Sequence, residues 1–213
     1  MNAWRRLARA EARLVGEVAT VAGVDEAGRG PLAGPVVAAA VVLARGGRWK
    51  GLNDSKLVPI EMRELLYARL LLEARAFAWA VVGPRAIDTI NIRAASLLAM
   101  RRAVERLRVA PTVVLVDGCD RVPGVECDQH LVVDGDARML SIAAASIVAK
   151  VVRDRIMRRL DSVWPGYAFA SNKGYGTPEH LEALGRLGPC PLHRQSFAPV
   201  RVMELPLEYP VMS

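Results

Sequence analysis

Apolar residues along this chain follow two periods. Between Val21 and Leu43 they run almost without a break, and their β-branched content predicts two buried strands, Val21 to Val24 and Val36 to Leu43. Gly28, Gly30, Pro31, Gly34 and Pro35 between them predict a turn. Phe77 to Val82 reads as a third strand, closed by Gly83-Pro84; T-V-V-L-V-D-G after Pro111 reads as a fourth, and Leu131 to Val133 as a short fifth. Helical spacing holds elsewhere. Pro59 suits a first turn, and Glu61 and Glu64 complement the positive end of the helix it opens. Beyond Gly83-Pro84 a long helical region carries Leu97, Met100, Val104 and Leu107 on one face, with arginines on the others as a solvated surface. An alanine-rich stretch free of proline and glycine predicts a long helix over about 138–160, and Thr177-Pro178 starts a last one through about 187. The basic start of the chain, M-N-A-W-R-R-L-A-R-A-E-A-R-L-V, predicts a surface helix.

Strands and helices in this mixture imply a single α/β domain, and 213 residues with 52% hydrophobic content bury a core without staples. Cys119, Cys127 and Cys190 form neither C-x-x-C nor an even set, so neither a disulfide framework nor a zinc site is indicated and a reducing cytoplasm is the simple expectation. The longest apolar run, Val36 to Ala44, is too short to span a membrane, and no apolar signal region follows the basic start. A net charge of +7 favours a polyanionic partner. Nothing in the pattern calls for an obligate dimer, so a monomer is expected.

Acids interrupt this apolar pattern at strand ends. Asp25-Glu26 closes the first strand, Asp117 the fourth, and Asp134-Gly135-Asp136 follows the fifth. Burying adjacent carboxylates costs several kcal/mol per ion unless cations or a metal compensate, and Arg29 alone cannot neutralise both. Hard oxygen ligands without a histidine or cysteine cluster suit Mg²⁺ or Mn²⁺. Two-metal phosphodiester hydrolysis uses about four carboxylates around ions roughly 3.5–4 Å apart. Residues two apart on a strand point to the same side, so Asp134 and Asp136 are both candidates. Asp154 is not: eighteen residues beyond Asp136, it lies roughly 27 Å away along a continuous helix, and it is read as an ion-pairing residue.

The run G-V-D-E-A-G-R-G-P-L-A-G-P-V-V closely resembles the opening motif of type 2 ribonuclease H (ribonuclease HII). Further segments match in order: N-D-S-K, V-D-G, G-D, A-A-S-I-V-A-K, K-G-Y-G-T-P-E-H and H-R-Q-S-F-A-P-V, so the resemblance extends from Val21 to about Val200. It implies a ribonuclease H-like fold, a mixed central sheet flanked by helices with a C-terminal helical and loop extension, the core over about 19–161 and the extension over about 162–200. It implies an endoribonuclease with two Mg²⁺ or Mn²⁺ ions on Asp25, Glu26, Asp117 and Asp136. The family pattern G-D selects Asp136 and leaves Asp134, where relatives are commonly basic, beside the site. The implied substrates are RNA-DNA hybrids and duplex DNA containing single ribonucleotides, cut on the 5′ side to leave 5′-phosphate and 3′-hydroxyl ends.

Within that reading Gly28, Arg29 and Gly30 read the ribonucleotide, because glycine lets backbone groups approach a 2′-hydroxyl. Tyr175 stacks on the neighbouring sugar. Lys56, Lys150, Arg153 and Lys173 are candidate phosphate contacts, and His193 a phosphate or structural contact. A DNA nuclease on the same fold and a hybrid-binding protein without catalysis are the alternatives. Carboxylates that repel phosphate in the absence of metal argue against the second.

Overall fold

The structure, a computed structural model, describes residues 3–16, 20–52 and 58–204, the last three by backbone alone. Five strands form one mixed sheet: β1 (Val21–Ala27), β2 (Val36–Val42), β3 (Ala76–Val82), β4 (Val113–Asp117) and β5 (Asp128–Val132), in the order β3-β2-β1-β4-β5. β2 pairs antiparallel with β1 and β3, while β1–β4 and β4–β5 are parallel. The unbroken apolar run of β2 follows from coverage on both faces. Val37, Ala39 and Val41 pack beneath α5 (Leu140–Val163), with α1 (Ala3–Val15) and α2 (Ile60–Glu73) beside it. Val36, Ala38, Ala40 and Val42 pack on the other face against α4 (Ile92–Glu105) and α3 (Pro84–Ile90). No described helix is long and apolar enough to cross a membrane.

Small residues let α5 lie close to the sheet. Its first half is buried from Leu140 to Ala149, mostly alanine and serine. On β1 below, a Cβ on Gly23 would stand 2.0 Å from the Ser141 carbonyl carbon. The start of α5 lacks a cap from its own segment; Glu11 of α1 supplies one across 130 residues, its Oε2 accepting from the Ser141 amide and hydroxyl at 2.8 Å each. The expected surface helix is thus anchored, and Leu7 is buried with it.

Three expectations shift. The region after Gly83-Pro84 is two helices, because Asn91 takes φ 65° and its side chain accepts from the Ala94 amide to cap α4. The long helix begins at Leu140, after a 3-10 turn over Gly135–Ala137. The fifth strand ends at Val132, so Asp134 and Asp136 do not share a strand face.

The C-terminal extension wraps the β1–β2 turn through α6 (Phe169–Asn172), α7 (Pro178–Leu187) and α8 (Ala198–Glu204). At its centre His180 and His193 are buried with Nε2 atoms 3.1 Å apart. His180 Nδ1 is 2.8 Å from the Tyr175 carbonyl, which can only accept, so that nitrogen carries the proton and His180 Nε2 accepts. His193 therefore donates through Nε2 and accepts the Cys190 amide through Nδ1, at 3.0 Å. Both rings are neutral in this arrangement. Burial, then the neighbouring His180, lowers His193 to about 4.

Two predictions follow from this packing. Gly23→Ala forces α5 off the sheet and destabilises the fold by about 3 kcal/mol or more, read from urea unfolding midpoints. Because the folded His193 pKa lies below its unfolded value, the unfolded chain takes up the proton first as pH falls. Stability is therefore intact above about 6.5 and declines toward about 4; from pH 7 to 5 the loss is about 2 kcal/mol, which His193→Asn largely removes from the pH profile of melting.

Candidate active site

Strand register assembles the acids. In the parallel β1–β4 pair Val24 stands beside Val116, so the next residues on each strand, Asp25 and Asp117, emerge side by side. Both belong to the α5 face by alternation, with Gly23 and Leu115 two residues earlier. Glu26 follows at the end of β1, and Asp136 enters from the 3-10 turn after β5. All four line one pocket of about 290 Å³ with Gly28, Arg29, Gly30, Ser146, Lys150, Arg153 and Tyr175. Asp134 is exposed in a left-handed conformation (φ 53°), whereas Asp136 is buried, so the backbone turn separates two acids that the sequence left equivalent. A larger crevice of about 580 Å³ lies at the other end of β1, but Glu11, the carboxylate there, is already engaged by Ser141.

The pocket is electrostatically costly. Burial, then the charges of Glu26 and Asp117, pushes the Asp25 carboxyl well above the usual carboxylate range, against hydrogen bonds from Ser146 and the Glu26 amide. Burial also raises Glu26, with Arg29 opposing it. Arg29 Nη1 reaches Glu26 Oε1 at 3.2 Å, while Glu26 Oε2 is buried without a hydrogen-bond partner. Asp117 Oδ1 accepts from the Gly135 amide at 2.7 Å. Among the described residues no three acids, histidines or cysteines stand close enough to clasp an ion as they are. Two of the four carboxylates are turned toward Arg29 and Gly135 instead. The donor set is nevertheless that of a hard divalent cation: four carboxylates in one pocket, one buried oxygen unpartnered, and a surplus of negative charge.

Beside the acids, the turn after β1 is held open. Gly28 has φ +98°, and a Cβ there would lie 2.0 Å from Arg153 Nε and 2.8 Å from the Pro35 carbonyl, so glycine is required twice over. Gly30 faces Tyr175, whose ring would be 3.9 Å from a Cβ at that position. Tyr175 is half exposed, and the Arg153 guanidinium stands 5.8 Å from its ring.

The candidate cations separate. Lys150 lines the pocket and pairs with Asp154 at 2.8 Å; Asp154 also meets Arg63 at 3.8 Å, which makes it the ion-pairing residue expected. Lys173 lies in a neighbouring hollow with Arg63, Asp154 and Arg158, and its Nζ donates to the Ala170 carbonyl. Arg153 is fully buried rather than a surface charge: Nε and Nη2 donate to the Pro35 and Ala33 carbonyls, and Nη1 is unpartnered. Lys56 lies outside the described residues. Ser146, which lines the pocket, and Arg194, which donates to the Gly28 and Arg29 carbonyls of the turn beside it, are residues to which sequence reading gave no role; their signals were the A-A-S-I-V-A-K and H-R-Q-S-F-A-P-V segments that contain them. His193 is structural.

Comparison with known proteins gives the family and the fold. The ribonuclease HII family model matches residues 22–200. Curated ribonucleases HII are similar over most of the chain: that of Agrobacterium fabrum is 54% identical over 181 residues, 85% of this chain and 83% of its own. That of Moorella thermoacetica is 56% identical over 180 residues, 84% and 87%. Among solved structures, ribonuclease H2 from Pyrococcus horikoshii OT3 superposes with a TM-score of 0.74 at 28% identity, covering 86% of this chain and 96% of its own. With the mixed five-stranded sheet of a ribonuclease H-like fold and a match spanning nearly all of the described core, the chain belongs to the ribonuclease HII family, a family of nucleases.

Proposed function

We propose that this protein is a metal-dependent endoribonuclease that cuts the RNA strand of RNA-DNA hybrids and cuts 5′ to single ribonucleotides embedded in duplex DNA, leaving 5′-phosphate and 3′-hydroxyl ends. The observation that carries the reading is the convergence of Asp25, Glu26, Asp117 and Asp136 in one pocket beside the glycine turn and Tyr175. Those four carboxylates would hold two divalent ions, Mg²⁺ or Mn²⁺, which when bound supply a water of lowered pKa and charge stabilisation at the leaving oxygen.

The chain's own residues do the rest. Asp25, raised by burial and then by the charges of Glu26 and Asp117, is a carboxylate whose charged form a cation would favour, and the Ser146 hydrogen bond orients it. Gly28, Arg29 and Gly30 bring backbone groups against the sugar edge, where a 2′-hydroxyl distinguishes ribose from deoxyribose. Tyr175, facing Gly30, offers its exposed ring to the adjacent sugar. Lys150, at the pocket wall, would contact phosphate oxygens, and Lys173 and Lys56 would add to that contact; Arg153, enclosed behind the glycine turn, would support that turn rather than meet phosphate.

Cleavage of a duplex carrying one ribonucleotide, assayed with Mg²⁺, with Mn²⁺ and with chelator, tests the assignment. Turnover is expected with either metal and not with chelator, and equal cleavage of an all-DNA duplex would sink the substrate assignment. Asp136→Asn is expected to lower kcat by about 10³-fold or more with unchanged melting, while Asp134→Asn stays within about threefold of the parent. The reverse order would transfer the ligand role to Asp134. Tyr175→Ala is expected to raise KM for the ribonucleotide duplex by about tenfold, read in the same assay.

A further inference from the structure

Arg194 is a large, fully buried side chain, and among the described residues no carboxylate forms an ion pair with it. Its guanidinium is spent on one turn of backbone. Nη2 donates to the Gly28 carbonyl at 2.6 Å, Nη1 to the Arg29 carbonyl at 2.8 Å, and Nε and Nη2 to the Gly34 carbonyl at 3.0 and 2.9 Å. Its own amide donates to the Leu32 carbonyl at 2.8 Å. One residue thus holds four positions of the turn that carries Gly28-Arg29-Gly30. A planar fork of donors suits this task; a lysine ammonium does not reproduce it.

The direction of those bonds matters. The described chain has no cis peptide bonds, so a carbonyl drawn toward Arg194 turns the amide of the next residue the opposite way. With the Gly28 and Arg29 carbonyls drawn inward, the amides of Arg29 and Gly30 face away from Arg194, on a turn that lines the acid pocket. Burial and the nearby Arg153 charge lower Arg194 to about 9, which leaves it charged at neutral pH. Its segment is fastened in turn: Asp88 of α3 accepts the Gln195 and Ser196 amides at 3.0 and 2.9 Å, and the Gly34 amide donates to the Leu192 carbonyl at 2.8 Å.

We propose that Arg194 is a positioning residue for ribose recognition: by holding the Gly28 and Arg29 carbonyls inward it presents the Arg29 and Gly30 amides to the sugar edge. This rests on the reading that the turn recognises the 2′-hydroxyl. A loose turn still leaves Asp25, Glu26 and Asp117 on their strands and Asp136 on the 3-10 turn after β5, so loss of Arg194 weakens discrimination rather than the hydrolytic step.

The test is steady-state cleavage of a DNA duplex bearing one ribonucleotide, with the all-DNA version of that duplex as competitive inhibitor. For the parent protein the Ki of the all-DNA duplex is expected to exceed KM by about tenfold or more; in Arg194→Lys, KM rises by about tenfold toward Ki, while kcat stays within about threefold. A merely destabilised protein loses active fraction and hence apparent kcat, with KM unmoved. Should Arg194→Lys not fold by circular dichroism, Asp88→Asn loosens the same segment from outside, and KM is expected to rise by about threefold with Ki constant. If the parent shows no difference between KM and Ki, the reading of the turn fails. If the parent discriminates and the folded variant discriminates equally, the role given to Arg194 is overturned.

Discussion

Two carboxylates emerging side by side from neighbouring parallel strands are the constraint around which this molecule is built. Strands in register stand about 4.8 Å apart, and the Val24–Val116 pairing leaves Asp25 and Asp117 no means of separating without breaking the sheet. Their repulsion, added to burial, is visible in the raised Asp25 carboxyl. Much of the surrounding architecture keeps that arrangement rigid. Gly23 and the alanines of α5 let the helix lie close above β1, and Glu11 holds the start of that helix from α1. Ser146, on the buried face of α5, then reaches Asp25 from above.

Positive charge is distributed in a complementary way. Arg29 meets Glu26 at the pocket rim, while Arg153 and Arg194 lie buried beneath the turn and donate to its carbonyls rather than to acids. Buried guanidiniums without ionic partners are costly to desolvate. Here they order a turn whose glycines contribute no packing of their own. The acids of one segment and the turn of the next thus reach the same pocket by different means: strand register for the first, a cationic scaffold of Arg153 from α5 and Arg194 from the C-terminal extension for the second.

Several features were legible from residue type alone. The two-sided apolar run of β2, the breaks at Gly83-Pro84 and Pro111, and the helix opened by Thr177-Pro178 are local signals, and they name elements the fold contains. The opening motif pointed to Asp25, Glu26 and the glycine turn because those residues are contiguous. Less legible were features that depend on partners distant in the chain. Asn91 splits a helical region by its own side-chain cap, and the 3-10 turn before α5 removes Asp134 from the strand geometry assumed for it. Arg153 reads in sequence as a charged position on a helix; only packing shows it enclosed behind the glycine turn.

The sequence by itself determined the alternation of strands and helices, the family resemblance and the inventory of acids, because these follow from local periodicity and contiguous motifs. The tertiary structure decided which acids meet. Asp117 lies far from Asp25 along the chain, and only parallel pairing brings them together. Whether Asp134 or Asp136 faces the pocket depended on one left-handed residue, and the role of Arg194 on contacts with residues some 160 positions earlier, such as Gly34. A one-dimensional pattern specifies which side of its own element a residue occupies. It does not specify the other segment that element will be packed against, and the chemistry of this pocket arises where such segments meet.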